Sequence, residues 1–341
     1  MQDVQVGTGK KTKAKEDSNF IQSYKQYLTI GAFSASPVSE IQLSSYKQFS
    51  SKTSDFKANL SNTLGFTIGY RSIYLAVGFK TPTDLSSIAK YGKSSYNTFS
   101  LRVQNPRYLF SFDYRDIQGY YNTAPITTTD PTTKVKTESY IQRGDIQSQQ
   151  YVISGIFNLN WKKYSYLASL IHTERQIKSK VGFLLKSSIS YNTLGSDSSL
   201  VKNINAKTKV IHDISSLNFM SYKVGPGLGM NLVLFKRIYF SSMLFYSFDV
   251  VSFQGFDSSG KQLTSNTSVT GFAEGRAALG YQSKRFYIGM KFVGDQVTFH
   301  TSENRISTHF ATVTLDIGYR FNAPGFLKKG YDATFQRFLG M

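Results

Sequence analysis

Cysteine is absent from this chain, proline is limited to 7 residues and tryptophan occurs once. Without cysteine there are no disulfides, no thiolate nucleophile and no cysteine-ligated metal. The absence suits an oxidising envelope compartment. Also missing is any apolar run of about 18 or more residues, the length a helix needs to cross a bilayer. No apolar leader segment opens the chain, since Met1-Gln2-Asp3 runs straight into a Lys/Gly/Thr-rich stretch. A chain exported across an inner membrane is expected here in mature form, its signal removed and a start Met added. Acidic residues are in deficit: 21 Asp and Glu against 40 Lys and Arg leave a formal charge of +19.

What the chain does have is aromatic residues, 23 Tyr and 27 Phe, with a mean hydropathy of only −0.27. A membrane barrel hides its hydrophobicity in alternation, so a polar average with many aromatics fits it. A large soluble β-sandwich shares that average. Alternation separates the two. From Ser216 to Phe256 two long arms meet at Lys236-Arg237, and after the turn Ile238, Phe240, Leu244, Tyr246, Phe248 and Val250 share one face. A strand has a side-chain period of two, so such a run needs an apolar environment on at least one side.

Similar hairpins recur. One turns at Arg71-Ser72, one at Asn105-Pro106-Arg107, one at Lys162-Lys163 beside Trp161, and one at Ser283-Lys284. These turns are short and basic, whereas the opposite connections are long and rich in Ser, Thr and Asn. That asymmetry predicts short periplasmic turns and long extracellular loops. The first strand is expected at about 27–34, followed by a Ser-rich loop to Asp55, and Tyr164–Thr173 reads as a crossing strand. About thirteen strands are visible, and antiparallel parity requires an even number. The expectation is an all-β, up-and-down transmembrane barrel of about 14 strands, one of them hidden within 195–215, with 12 as the runner-up. Residues 1–19 read as a flexible basic leader, 20–321 as the barrel and 322–341 as a periplasmic tail.

Few residues point to chemistry. His172, His212, His300 and His309 show no metal spacing; His300 and His309 flank a loop containing Glu303, but a loop histidine is ordinarily solvated. Serines are too common for any triad to stand out, and no Gly-x-Ser-x-Gly elbow occurs. Gly225-Pro226-Gly227-Leu228-Gly229 lacks the ending of a phosphate loop, and glycines within a strand mark bulges or bends. No catalytic, cofactor or metal residue is therefore expected. Charges at membrane depth must face water or one another, which assigns Asp113, Arg115, Asp249, Glu274, Arg276, Lys291, Asp316 and Arg320 to the lumen. Beyond Phe321, the residues Phe326, Leu327, Tyr331, Phe335, Phe338 and Leu339 among Lys328, Lys329 and Arg337 form a candidate partner-docking tail. The basic turns suit anionic head groups at a membrane rim, so outer-membrane lipid and lipopolysaccharide are expected partners, and nucleic acid is not.

Several stretches carry a family resemblance: Asn19-Phe20-Ile21-Gln22-Ser23-Tyr24 with Tyr27-Leu28-Thr29-Ile30, Glu174-Arg175-Gln176 with Gly182-Phe183-Leu184-Leu185 and Ser188-Ile189-Ser190-Tyr191, Ser196-Asp197-Ser198-Ser199-Leu200, and Gly318-Tyr319-Arg320-Phe321. By these the chain resembles a Bacteroidetes family of outer-membrane β-barrel proteins designated a domain of unknown function. The resemblance implies a single barrel in the outer membrane of a Gram-negative cell and brings no catalytic residues. The expected role is a non-enzymatic structural or accessory subunit of a larger outer-membrane assembly, alongside other outer-membrane or periplasmic proteins. The alternatives are a passive pore or transporter for small solutes and, behind it, a lipid-modifying enzyme.

Overall fold

A computed structural model of the protein describes residues 16–45, 54–200, 214–300 and 304–339. Twelve antiparallel strands close into a ring: β1 (Tyr27–Ser45), β2 (Thr63–Tyr70), β3 (Ile73–Lys80), β4 (Ser95–Gln104), β5 (Tyr108–Asn122), β6 (Gln142–Asn158), β7 (Lys180–Gly195), β8 (Ser216–Leu234), β9 (Ile238–Phe256), β10 (Gln262–Gln282), β11 (Phe286–His300) and β12 (Asn304–Asn322). Each strand pairs with the next, and β12 returns to β1 in a ladder from Asn304↔Ser45 to Asn322↔Tyr27. Among the described residues three helices accompany the ring: α1 (Leu85–Tyr91), α2 (Leu167–Leu170) and α3 (Gly325–Leu339).

The ring thus has the runner-up number of strands, and two segments account for the difference from 14. The first is Tyr164–Thr173, which does not cross: the chain from 159 to 179 folds into the barrel, where Tyr164, Tyr166, Leu167, Leu170 and Ile171 are all buried. The second is the expected hidden crossing between 195 and 215. β7 and β8 pair directly from Lys180↔Asn231 to Gly195↔Ser216, so the chain between them returns to the end it left; residues 201–213 lie outside the described residues.

β1 is longer than its sequence suggested because Pro37 interrupts no ladder on its β2 side. β2 pairs with β1 only up to Ala35↔Thr63, and the short strand Ser54–Lys57 takes over from Glu40↔Lys57. Pro37 falls in the gap between the two ladders, where a missing N–H costs least. The same short strand reaches the top of β5 at Phe56↔Asn122 and completes the wall above the shorter β2–β4.

The strands run up to 21 residues, beyond the roughly 9–11 that span a bilayer, and in the excess length the alternation continues unbroken while the character of the two faces changes. In the half nearest the short turns, β9 presents Phe240, Leu244, Tyr246 and Phe248 outward, while Ser241, Ser247 and Asp249 are buried inside together with Tyr239, Met243 and Phe245. The switch comes at Val250-Val251: Val250 faces out, and Val251 and Phe253 face a fully enclosed interior. Where a barrel wall meets lipid, apolar side chains belong outside. Beyond the lipid, burial in the interior is the only way to remove them from water.

Candidate functional site

The lumen contains three layers. At the long-loop end, Ile41, Phe56, Ile117, Phe219, Phe253 and Phe299 form part of one apolar cluster, with Phe253 and Phe299 ring centroids 4.7 Å apart. Arg143 braces this layer, bonding Asp145 at 2.8 Å and the Ser199 carbonyl at 3.0 Å.

The middle layer is a belt of charge. Lys186 pairs with Glu274, which also accepts from Arg276 at 3.2 Å. Lys223 lies between Asp249 at 3.9 Å and Asp295 at 4.0 Å, and Asp295 is 3.7 Å from Arg115. Charges buried in a low-dielectric interior are tolerated only when paired. Here Glu274 with Arg276 and Lys223 with Asp249 pair along or beside one strand, whereas Lys186 with Glu274 and Asp295 with Lys223 and Arg115 join strands that are not neighbours. A cavity of about 30 Å³ beside Arg115 and Asp295 leaves room for roughly one water.

The third layer closes the short-turn end. Residues 159–179 dip inward, and the strand Glu174–Gln176 pairs with Ile21–Ser23 from the start of the chain. Tyr164 occupies a notch in the wall. Gly182 on β7 and Gly229 on β8 are cross-strand partners, and a Cβ at either would lie 2.5 Å and 2.0 Å from Tyr164 atoms. The pairs Gly280↔Gly289 and Gly31↔Gly318 likewise lie against the hydroxyls of Tyr239 and Tyr287. These strand glycines permit close approach of a ring to the wall rather than marking bulges.

Hydrogen bonds fasten the inward segment all round. Asn231 donates to the Ser165 carbonyl at 2.8 Å, and Tyr166 OH donates to the Asn105 carbonyl at 2.7 Å. Lys291 donates to the Leu170 carbonyl and to Asp316, both at 3.0 Å. His172 is stacked on Tyr287 at 4.2 Å, with Nε2 2.9 Å from Asp316 and Nδ1 2.8 Å from Gln282. Its carbonyl accepts two bonds from Arg320, whose guanidinium also covers the Tyr24 ring at 4.1 Å. Glu174 is fully buried, bonded by Ser165 Oγ at 2.6 Å, and burial pushes its carboxyl up to about 7.

Of the charges that alternation assigned to the lumen, Glu274 and Arg276 meet each other, as do Lys291 and Asp316. Asp249 and Arg115 are joined through Lys223 and Asp295. Asp113 accepts from Ser100 at 2.6 Å, and Arg320 binds carbonyls rather than a carboxylate. Sequence reasoning passed over Lys186, Lys223 and Asp295, although each lies on the inward parity of its strand. It also passed over His172 as a hub. His309 is 3.3 Å from Gln42, Glu303 lies outside the described residues, and no cluster of metal-ligating side chains occurs among the described residues.

The tail forms α3 and packs on the outer rim. Tyr70 is on an outward position of β2 yet only 7% exposed, because the Tyr331 ring meets it edge-on at 5.6 Å. Arg71 covers both rings and pairs with Asp332. Leu327 joins the same cluster, whereas Phe326 is 77% exposed. The side chains of Phe335, Phe338 and Leu339 lie outside the described set.

The stretches that carried the family resemblance meet in this architecture: 19–24 against 174–176, Tyr24 under Arg320, and Ser199 on Arg143. No curated protein matches the sequence. Among solved structures, the chain is similar to the outer membrane protease OmpT of Escherichia coli, at 7% identity over 88% of this chain and 98% of that one, with a TM-score of 0.39. It is similar also to the Pseudomonas putida toluene transporter TodX, at 8% identity over 87% and 90% with a TM-score of 0.24. For Ail, the attachment invasion locus protein of Yersinia pestis, the figures are 9%, 86%, 99% and 0.20. A family model described as a domain of unknown function matches residues 15–321, nearly the whole barrel, and the chain belongs to that family, DUF4421.

Proposed function

We propose that the protein is a non-conducting barrel of the outer membrane that serves as a structural or accessory subunit of a larger assembly rather than as a pore or an enzyme. The observation that supports this is the lumen: an apolar layer, a paired charge belt and an inward segment fill it in succession. A solute path would require the inward segment to leave, and its polar atoms are bonded to every strand of the wall from β6 to β12. The surfaces left for partners are outside. At the rim, α3 offers Phe326 with Lys329 one turn on, both exposed, a face suited to lipid head groups or to a neighbouring envelope protein.

Planar-bilayer recording tests the filled lumen: a silent membrane is the expected result, and stable conductance steps overturn it. Gentle-detergent purification from native outer membranes tests the accessory role. Co-purifying envelope proteins that disappear when the chain ends at Phe321 would support it; recovery of the barrel alone in both cases would count against it.

A further inference from the structure

On the outer face of the wall at the long-loop end, above the apolar band, a groove of about 380 Å³ opens between β1, the Ser54–Lys57 strand, the top of β5 and the end of α1. Its volume falls within the range of small-molecule sites, about 300–1,000 Å³. One side is aromatic: the rings of Tyr91, Tyr121 and Tyr140 lie with centroids 4.7, 5.0 and 5.7 Å apart. The other side is polar, formed by Glu40, Asp55 and Lys57 with Gln42 and Thr123 nearby.

The charges already present cancel. Glu40 is paired with Lys57 at 3.2 Å. The cation that tyrosine faces attract is supplied by the chain itself, since Lys90 Nζ lies 5.4 Å and 5.5 Å from the centroids of Tyr91 and Tyr140. Glu40, Asp55, Lys57 and Lys90 together carry no net formal charge, so an ion of either sign gains little here. One group remains unmatched: Asp55 Oδ1 is buried and has no hydrogen-bond partner among the described residues. A carboxylate oxygen only accepts, so what is missing is a donor. Ring faces are negative at their centres and favour the edge of a C–H bond. A ligand that supplies hydroxyl donors, a flat C–H face and no charge answers all three conditions.

From this we infer that the groove is a saccharide-binding site, with a neutral sugar ring lying against the tyrosines and donating hydroxyls to the carboxylate side formed by Glu40 and Asp55. The inference is independent of the accessory role, which concerns the lumen and the opposite rim. Its test uses the full chain in lipid nanodiscs or a zwitterionic detergent, so that no sugar-headed detergent competes. A glycan array of neutral hexose, N-acetylhexosamine and deoxyhexose oligosaccharides identifies a binder, and saturation-transfer NMR locates the contact. The expected result is transfer to ring protons of at least one neutral glycan, with affinity reduced about tenfold or more by Asp55→Ala and by Tyr121→Ala. Tyr140→Ala, outside the barrel strands, gives the same loss without risk to the wall. Binding of no glycan overturns the inference, as does glycan binding unchanged in all three variants. Binding of tetramethylammonium in place of any sugar would assign the groove to organic cations and overturn it equally.

Discussion

Arg320, near the end of the closing strand, donates through Nε and Nη2 to the backbone carbonyl of His172, at 3.1 and 2.6 Å. His172 has φ of 63°, a left-handed conformation at the turn that ends α2. The barrel's last strand is thereby bonded to the segment that fills its mouth. Replacing Arg320 with Met leaves the carbonyl unpaired, at a cost of about 1–3 kcal/mol. Arg320→Lys recovers little, because an ammonium lacks the planar fork. Both variants are expected to lower the temperature at which the barrel loses its compact migration on SDS gels.

The notch at Gly182 and Gly229 makes a steric prediction. A Cβ at Gly229 would meet Tyr164 OH at 2.0 Å, so Gly229→Ala forces the ring out, at about 1–3 kcal/mol for overpacking. Combined with Tyr164→Ala, it should cost clearly less than the two single changes added together, as contacting sites do. Urea-unfolding midpoints of the three variants check this.

Lys186 and Glu274 are both buried inside the barrel. Lys186→Met removes one partner of a buried pair, which typically costs about 3–5 kcal/mol. Lys186→Met with Glu274→Gln should recover part of that loss, because no carboxylate is then left facing a methionine. Equilibrium unfolding in lipid vesicles measures both.

The lipid band makes a depth prediction. Leu244 is outward-facing near the middle of the apolar run on β9, and Gln254 is outward-facing on the same strand beyond the switch at Val250-Val251. Leu244→Arg should destabilise by about 2–4 kcal/mol and Gln254→Arg by close to nothing, following the depth dependence of charged residues on a barrel surface. Equal costs at the two sites would contradict the placement of the band.

Glu174 predicts a pH dependence. Its carboxyl titrates at about 7 in the folded chain and near 4.3 when unfolded, so between those values the folded state holds a proton that the unfolded state has lost. This stabilisation is complete below the unfolded value and is lost as pH rises through about 7, a change on the order of 3 kcal/mol. Glu174→Gln should flatten that part of the stability profile, measured by unfolding midpoints from pH 4 to 8 on the order of one unit apart.

Much of the barrel was legible in the sequence because its rules are local. The run from Ile238 to Val250 alternates with period two, and lipid on one side is the simplest reason for such a run. The basic turns at Arg71, Lys236-Arg237 and Lys284-Arg285 lie where the structure has its tight connections. The inward segment was misread for a physical reason. Tyr164, Tyr166 and the residues after them are surrounded on every side, so they carry no polar face, and the spacing of the two tyrosines imitates a strand. The change in character of the two faces at Val250-Val251 is visible as two adjacent valines, but its meaning depends on where the membrane ends.

Sequence by itself determined a closed antiparallel barrel, its lipid-facing side chains and its two unlike ends, because each follows from side-chain period and from the solvent along one strand. Tertiary structure decided the twelve-strand count, the filled lumen and the tail's place on the outer rim. Those depend on contacts between distant strands: Lys223 of β8 reaches Asp295 of β11, and Arg320 of β12 reaches His172. No local period records which side chains will meet across a lumen, since that is set by the circumference of the ring and by the segment folded into it.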